Sequence, residues 1–161
     1  MEQKIRKGDG GVYLVVVDET SEFDLALRYA ARCAQNRRGH VALLQIIDME
    51  EFQDWGNVEA MLRKELREKA EKQIWEACRK VHDLTGQVSA LYIAEGEAKS
   101  AVIETINSDP SLVQLVLAGG VGVKGPGPLI NYLISKGLGD LQVPAVIVPG
   151  NFDTNRIDAI T

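Results

Sequence analysis

Apolar residues in this chain come in short unbroken runs separated by longer stretches with helical spacing. The first run, Val12 to Val17, is uninterrupted until Asp18. A run without polar alternation marks a strand covered on both faces, as in a parallel sheet. From there the spacing changes. Phe23, Leu27, Ala30, Ala31 and Ala34 recur at helical intervals, which predicts a helix reaching about Arg38 and stopped by Gly39. Ser21 with Asp24 three residues on approximates a capping box at its start. The second run, residues 41–48, again ends at an aspartate, Asp48. A polar loop at 49–57 follows. Then Val58, Leu62, Leu66, Ala70, Ile74, Ala77 or Cys78, Val81 and Leu84 form one stripe, predicting a long core-facing helix closed by Gly86.

The pattern then repeats on a smaller scale. A third strand is predicted over 88–94, and a short helix over 98–107 with Ala98, Ala101, Val102 and Ile106 inward. Asp109-Pro110 breaks the chain before a fourth strand, Leu112 to Ala118. A helix begins near Pro128, a residue suited to a first helical turn. The fifth strand, 145–148, lies between Pro144 and Pro149, and the polar tail from Asn151 is expected to be loosely held. Strands alternating with helices give parallel order and right-handed crossovers. The expected fold is α/β: a five-stranded parallel sheet, doubly wound as a three-layer α/β/α sandwich. It forms a single domain over residues 1–161 with its core at about 12–149.

Composition narrows the function. The length of 161 residues fits one domain, and a net charge of −5 argues against nucleic acid as the main partner. Basic residues alternate with acids, as in residues 63–72, so they serve i,i+4 pairs on a solvated helix face. No apolar run approaches the roughly 20 residues needed to cross a bilayer. Cys33 and Cys78 lie far apart in helical patterns, which reads as two reduced, packed thiols in a cytoplasmic protein.

The candidate chemistry gathers at the carboxyl ends of the strands, where open parallel sheets bind ligands. Asp18, Glu19 and Asp48 fall there, as does the loop with glycines at 119, 120, 122, 125 and 127. Backbone N–H groups in such a loop, ahead of a helix, suit a phosphate, although the same glycines also suit a bare strand-to-helix turn. Asp18 is equally an acceptor for an adenine amino group or a helix cap. Enzyme readings fit poorly. A phosphoacceptor site would place an acid after the third strand and a lysine after the fifth, but Ala94-Glu95 and Pro149 stand there. No lysine follows the last loop glycine as a G-x-x-x-x-G-K-[ST] loop requires. His40 and His82 have no serine or cysteine arranged around them for a triad.

The segments VYLVVVDETSEFDLALRYAARCA, VALLQIIDMEE, GEA at 96–98 and VLAGGVGVKGP…VPAVIVPG, in that order and at those separations, resemble the universal stress protein family. The resemblance covers about residues 12–149. It implies a five-stranded α/β domain of the adenine nucleotide alpha hydrolase-like kind and a homodimer paired through the last strand, here Ala145, Val146, Ile147 and Val148. Some members bind ATP or AMP and others bind no nucleotide. In binding members the aspartate ending the first strand contacts adenine, matched here by Asp18 with Glu19 beside it. An aliphatic backbone contact near the end of the second strand is matched by Ile46 or Ile47. The family's phosphate motif reads G-x2-G-x9-G-[ST], and Gly119-x2-Gly122 satisfies its first half. The second half departs. Asn131-Tyr132 stands one residue too early where Gly-Ser or Gly-Thr belongs, and Gly127-x9-Gly137 is followed by Leu138. Pro126 and Pro128 remove N–H donors, and Tyr132 adds bulk where phosphate oxygens would enter. Lys124 offers a point charge, Gly127 an open backbone, and Asn131 a side-chain amide.

These readings combine into a cytoplasmic, homodimeric binding or regulatory module that takes ATP or AMP, a mono- or diphosphate fitting better than a tightly held triphosphate. The alternative is a dimeric interaction scaffold whose crevice is closed by Tyr132 and the proline loop. A slow hydrolase ranks below both, since no base and water-positioning pair stands beside the loop.

Overall fold

The computed structural model describes residues 10–48 and 58–161, so the polar loop at 49–57 lies outside the described residues. The elements in chain order are β1 (Val12–Val16), α1 (Phe23–Arg37), β2 (His40–Ile47), α2 (Val58–Thr85), β3 (Ala90–Glu95) and α3 (Ala98–Ser108). They continue with β4 (Leu112–Gly119), α4 (Pro128–Leu133), a 3-10 turn (Leu138–Asp140), β5 (Ala145–Pro149) and α5 (Thr154–Ile160). All pairings are parallel and the strand order is β3-β2-β1-β4-β5. Order therefore reverses between β1 and β4, the switch point of the sheet.

Each sheet face carries its own apolar layer. On one, Val15, Leu43 and Val116 pack against α1, α2 and Ile157 of α5. On the other, Leu14, Leu44 and Leu115 pack against Val102 and Ile106 of α3 and Ile130 and Leu133 of α4. The central strands β1, β2 and β4 are buried on both sides. That is why their sequences show no polar alternation.

Four local expectations change. Ser21 and Asp24 form no capping box. Glu22 stands at the N-cap of α1 without a side-chain cap, and the turn before it is held by Asp18, whose Oδ1 accepts from Thr20 N (2.7 Å) and Thr20 Oγ1 (2.6 Å). Helix α1 ends with Arg38, not Gly39, in the left-handed region (φ 57°). Gly39 is required for another reason: a Cβ there would lie 2.3 Å from the Gly11 carbonyl oxygen. Along α2 the buried stripe runs through Ala70, Ile74, Ala77, Cys78 and Val81, whereas Val58 is exposed and Leu62 and Leu66 are only partly covered. The C-terminal tail is not loose. It forms α5, capped by Asp153 accepting from Arg156 N (2.7 Å), with Ile157 fully buried.

Helix α5 is held on α1 by a polar lattice. Arg28 Nε and Nη2 each donate to a carboxylate oxygen of Asp158 at 2.7 Å, Arg32 Nε donates to Thr161 Oγ1 at 2.7 Å, and Asn36 Nδ2 donates to Thr161 O at 2.5 Å. Such planar two-point pairing is what a guanidinium offers and an ammonium does not. The two thiols are packed as the sequence suggests, Cys78 buried and Cys33 partly so, and burial pushes the Cys33 thiol up.

Candidate functional site

At the switch point the carboxyl ends of β1 and β4 separate around a cavity of about 310 Å³, within the size range of small-ligand sites. Its walls come from Val16, Asp18 and Glu22 on the β1–α1 side and from Leu117, Gly120 and Gly125 to Ile130 on the β4–α4 side. Asp18 is presented by the turn before α1. That turn uses two of the roughly four lone-pair positions a carboxylate offers, so accepting capacity remains.

The loop opposite is shaped by Gly125 and Gly127. Gly125 N–H donates to Gly122 O at 2.9 Å, closing a turn, and both Gly125 (φ 70°) and Gly127 (φ 104°, ψ 164°) adopt backbone that L side chains avoid. Gly122, the second glycine of the phosphate motif, has no positive φ and open space where a Cβ would stand. Lys124 is exposed at the tip of that turn and lines none of the described cavities. Gly119 lies one residue before the lining Gly120, and a Cβ on it would stand 2.9 Å from Ile147 Cγ2.

The remaining candidates divide. Glu19 turns away onto α2, where Lys69 Nζ pairs with it at 2.8 Å and Gln73 donates to it. The hydrogen bond and charge of Lys69 hold its carboxyl below the usual range. Gln73 in turn accepts from Gln45 Nε2 at 3.1 Å. Ile46 joins Asp18 and Glu19 around a second cavity of about 320 Å³ on that side, so Asp18 borders both. Asn131 is exposed, gives its N–H to Gly127 O at 3.1 Å, and borders neither cavity.

Tyr132 does not crowd the crevice. Its ring packs beside Gly137, where a Cβ would come within 2.6 Å of Cε1, and Lys99 Nζ sits 5.2 Å from the ring centroid. That pairing turns the side chain toward α3. Sequence reading missed Thr20 and Glu22, which the turn after β1 carries to the rim. The only trace of Glu22 was its place at the start of an amphipathic helix. Among the described residues no group of three His, Cys, Asp or Glu could hold a metal, and no helix is long and apolar enough to cross a membrane.

A five-stranded parallel α/β domain with its cavity under a glycine loop at the switch point defines the class of molecule. The universal stress protein family model matches residues 13–121, and the chain belongs to that family. Among solved structures, the universal stress protein UspA from Lactobacillus plantarum superposes with TM-score 0.72 at 15% identity, covering 88% of this chain and 99% of that one. A universal stress protein from Archaeoglobus fulgidus in complex with dAMP gives TM-score 0.55 at 14% identity, covering 85% and 96%. A universal stress protein in complex with cAMP gives 0.53 at 14%, covering 88% and 98%. No curated protein sequence matches the chain.

Proposed function

We propose that this protein is a binding module, regulatory and not catalytic, that takes an adenine nucleotide in the cavity between β1 and β4. The observation that carries the reading is the placement of Asp18. Asp18 borders the cavity, with Gly120, Gly125 and Gly127 also in its lining. A carboxylate acceptor facing a bare backbone loop is the complement of an adenine amino group joined to a phosphate. Two proteins of the same fold, named above with dAMP and cAMP, support the ligand class. Tyr132 turning toward α3 removes the feature that would have closed the crevice.

In this reading Asp18, which borders both cavities, meets the base with Ile46 contributing from the second cavity, and the backbone of the 119–127 loop receives phosphate. The module works as a homodimer through β5 in the cytoplasm. Mass spectrometry of small molecules released from purified, denatured protein should find AMP or a related adenine nucleotide. Calorimetric titration with AMP should then show one site per chain. No released nucleotide, together with no heat at millimolar AMP, would overturn it.

A further inference from the structure

Resting on that reading, the charges around the cavity say which adenine compound it prefers. Two acidic residues line it, Asp18 and Glu22, and among the described residues no Lys, Arg or His does. Glu22, at the start of α1, reaches toward the end of β5. A Cβ on Gly150 would fall 2.3 Å from Glu22 Cγ, and Gly150 N–H donates to Gly119 O at 2.7 Å. The half-buried Glu22 side chain is thereby packed beside the first glycine of the loop. A phosphate chain leaving a base at Asp18 and entering the loop would approach Glu22.

The loop backbone offsets that charge only in part. Pro126 and Pro128 have no N–H. The N–H groups of Gly125 and Asn131 are spent within the loop and α4, on Gly122 O and Gly127 O. Lys124 stands outside the cavity wall. Each further phosphate brings negative charge toward Glu22 with no Lys, Arg or His among the described lining residues, a repulsion that grows as water is excluded. We propose that Glu22 makes this cavity selective for adenine compounds of low charge, adenosine or AMP, over ATP.

Calorimetric titrations of wild type and Glu22→Gln with adenosine, AMP and ATP test it, with thermal unfolding confirming that both proteins are folded. Wild type should bind adenosine and AMP at least about tenfold more tightly than ATP. Glu22→Gln should raise the ratio of ATP to adenosine affinity by about tenfold, and the gain should shrink at high salt as the repulsion is screened. Wild type binding ATP as tightly as adenosine, or a variant that moves all three ligands alike, overturns the selectivity and leaves nucleotide binding standing. If neither protein binds any of the three, the binding reading falls as well.

Discussion

Asp18 already serves Thr20 with one oxygen, so replacing it has two effects that measurement can separate. Asp18→Ala should cost about 1–3 kcal/mol of AMP affinity, the range for a hydrogen-bonded group left unpaired, and should also loosen the turn before α1. Asp18→Asn keeps an oxygen for the turn and removes the charge, so it should recover stability more fully than affinity. Equal AMP affinity of Asp18→Ala and wild type by calorimetry would confine Asp18 to the turn. The loop glycines separate in the same way. Gly127 holds φ 104° and ψ 164°, a region nearly closed to side chains, and Gly127→Ala should destabilise by about 1–3 kcal/mol in urea unfolding. Gly122→Ala, in open space at ordinary φ, should stay within about 0.5 kcal/mol. The sequence displayed five glycines in a row of nine residues but not their dihedrals, so the two that shape the turn could not be told from the others. Glu22 was illegible for a related reason. Its role comes from Gly150, 128 positions on, which periodicity cannot bring together.

Element by element, the strands were the most legible part of the chain, because β1, β2 and β4 are covered on both faces and their apolar runs leave little choice. Helix α2 was read in the right place with too much of it buried. Its 28 residues extend about 42 Å, whereas the eight residues of β2 extend only about 26 Å. The helix overshoots the sheet, and its first turns are left half-covered. Helix α5 went unread because seven residues supply one fully buried side chain, Ile157, and its partners Arg28, Arg32 and Asn36 lie at the other end of the chain. Ile157→Ala should cost about 2–5 kcal/mol in denaturant unfolding, since it empties a packed site between α1 and the sheet. Acid should loosen the same element. Hydrogen bonds from Arg28 hold the Asp158 carboxyl below its ordinary value against the opposing effect of burial, with the charges of Arg28 and Arg32 adding to the shift. A lowered carboxylate stabilises above its unfolded pKa of about 4 and loses that contribution as pH falls through the folded value. Protection of α5 amides, corrected for the intrinsic rate at each pH, should therefore fall below about pH 4 ahead of protection in β1, and the difference should vanish in Asp158→Asn.

The two edges of the whole sheet are finished differently. At β3 the final residue, Glu95, is tied to Arg67 Nη1 at 3.1 Å and lies 4.0 Å from Arg63 Nη1, so charge borders that edge. At β5 no residue is charged, Ala145 and Ile147 are exposed, and α5 turns back over α1 instead of running alongside the strand. Proteins rarely leave an apolar edge open, and pairing two copies of β5 across a two-fold axis would cover it in both at once. The sequence shows the apolar strand and its two prolines. Only the strand order shows that it is an edge. The wild-type chain is thus expected to be a dimer in light scattering at micromolar concentration. Ile147 is 39% exposed in the single chain, so Ile147→Lys asks little of the monomer core while placing two ammonium groups near the axis of the pair. It should raise the dimer dissociation constant at least about tenfold, 1.4 kcal/mol, and leave the unfolding midpoint of the monomer nearly unchanged. A wild-type mass equal to one chain would remove β5 as an interface. A dimer that survives Ile147→Lys at unaltered affinity would move the contact elsewhere, with the exposed Trp75 and Val88 near β3 the next surface to substitute.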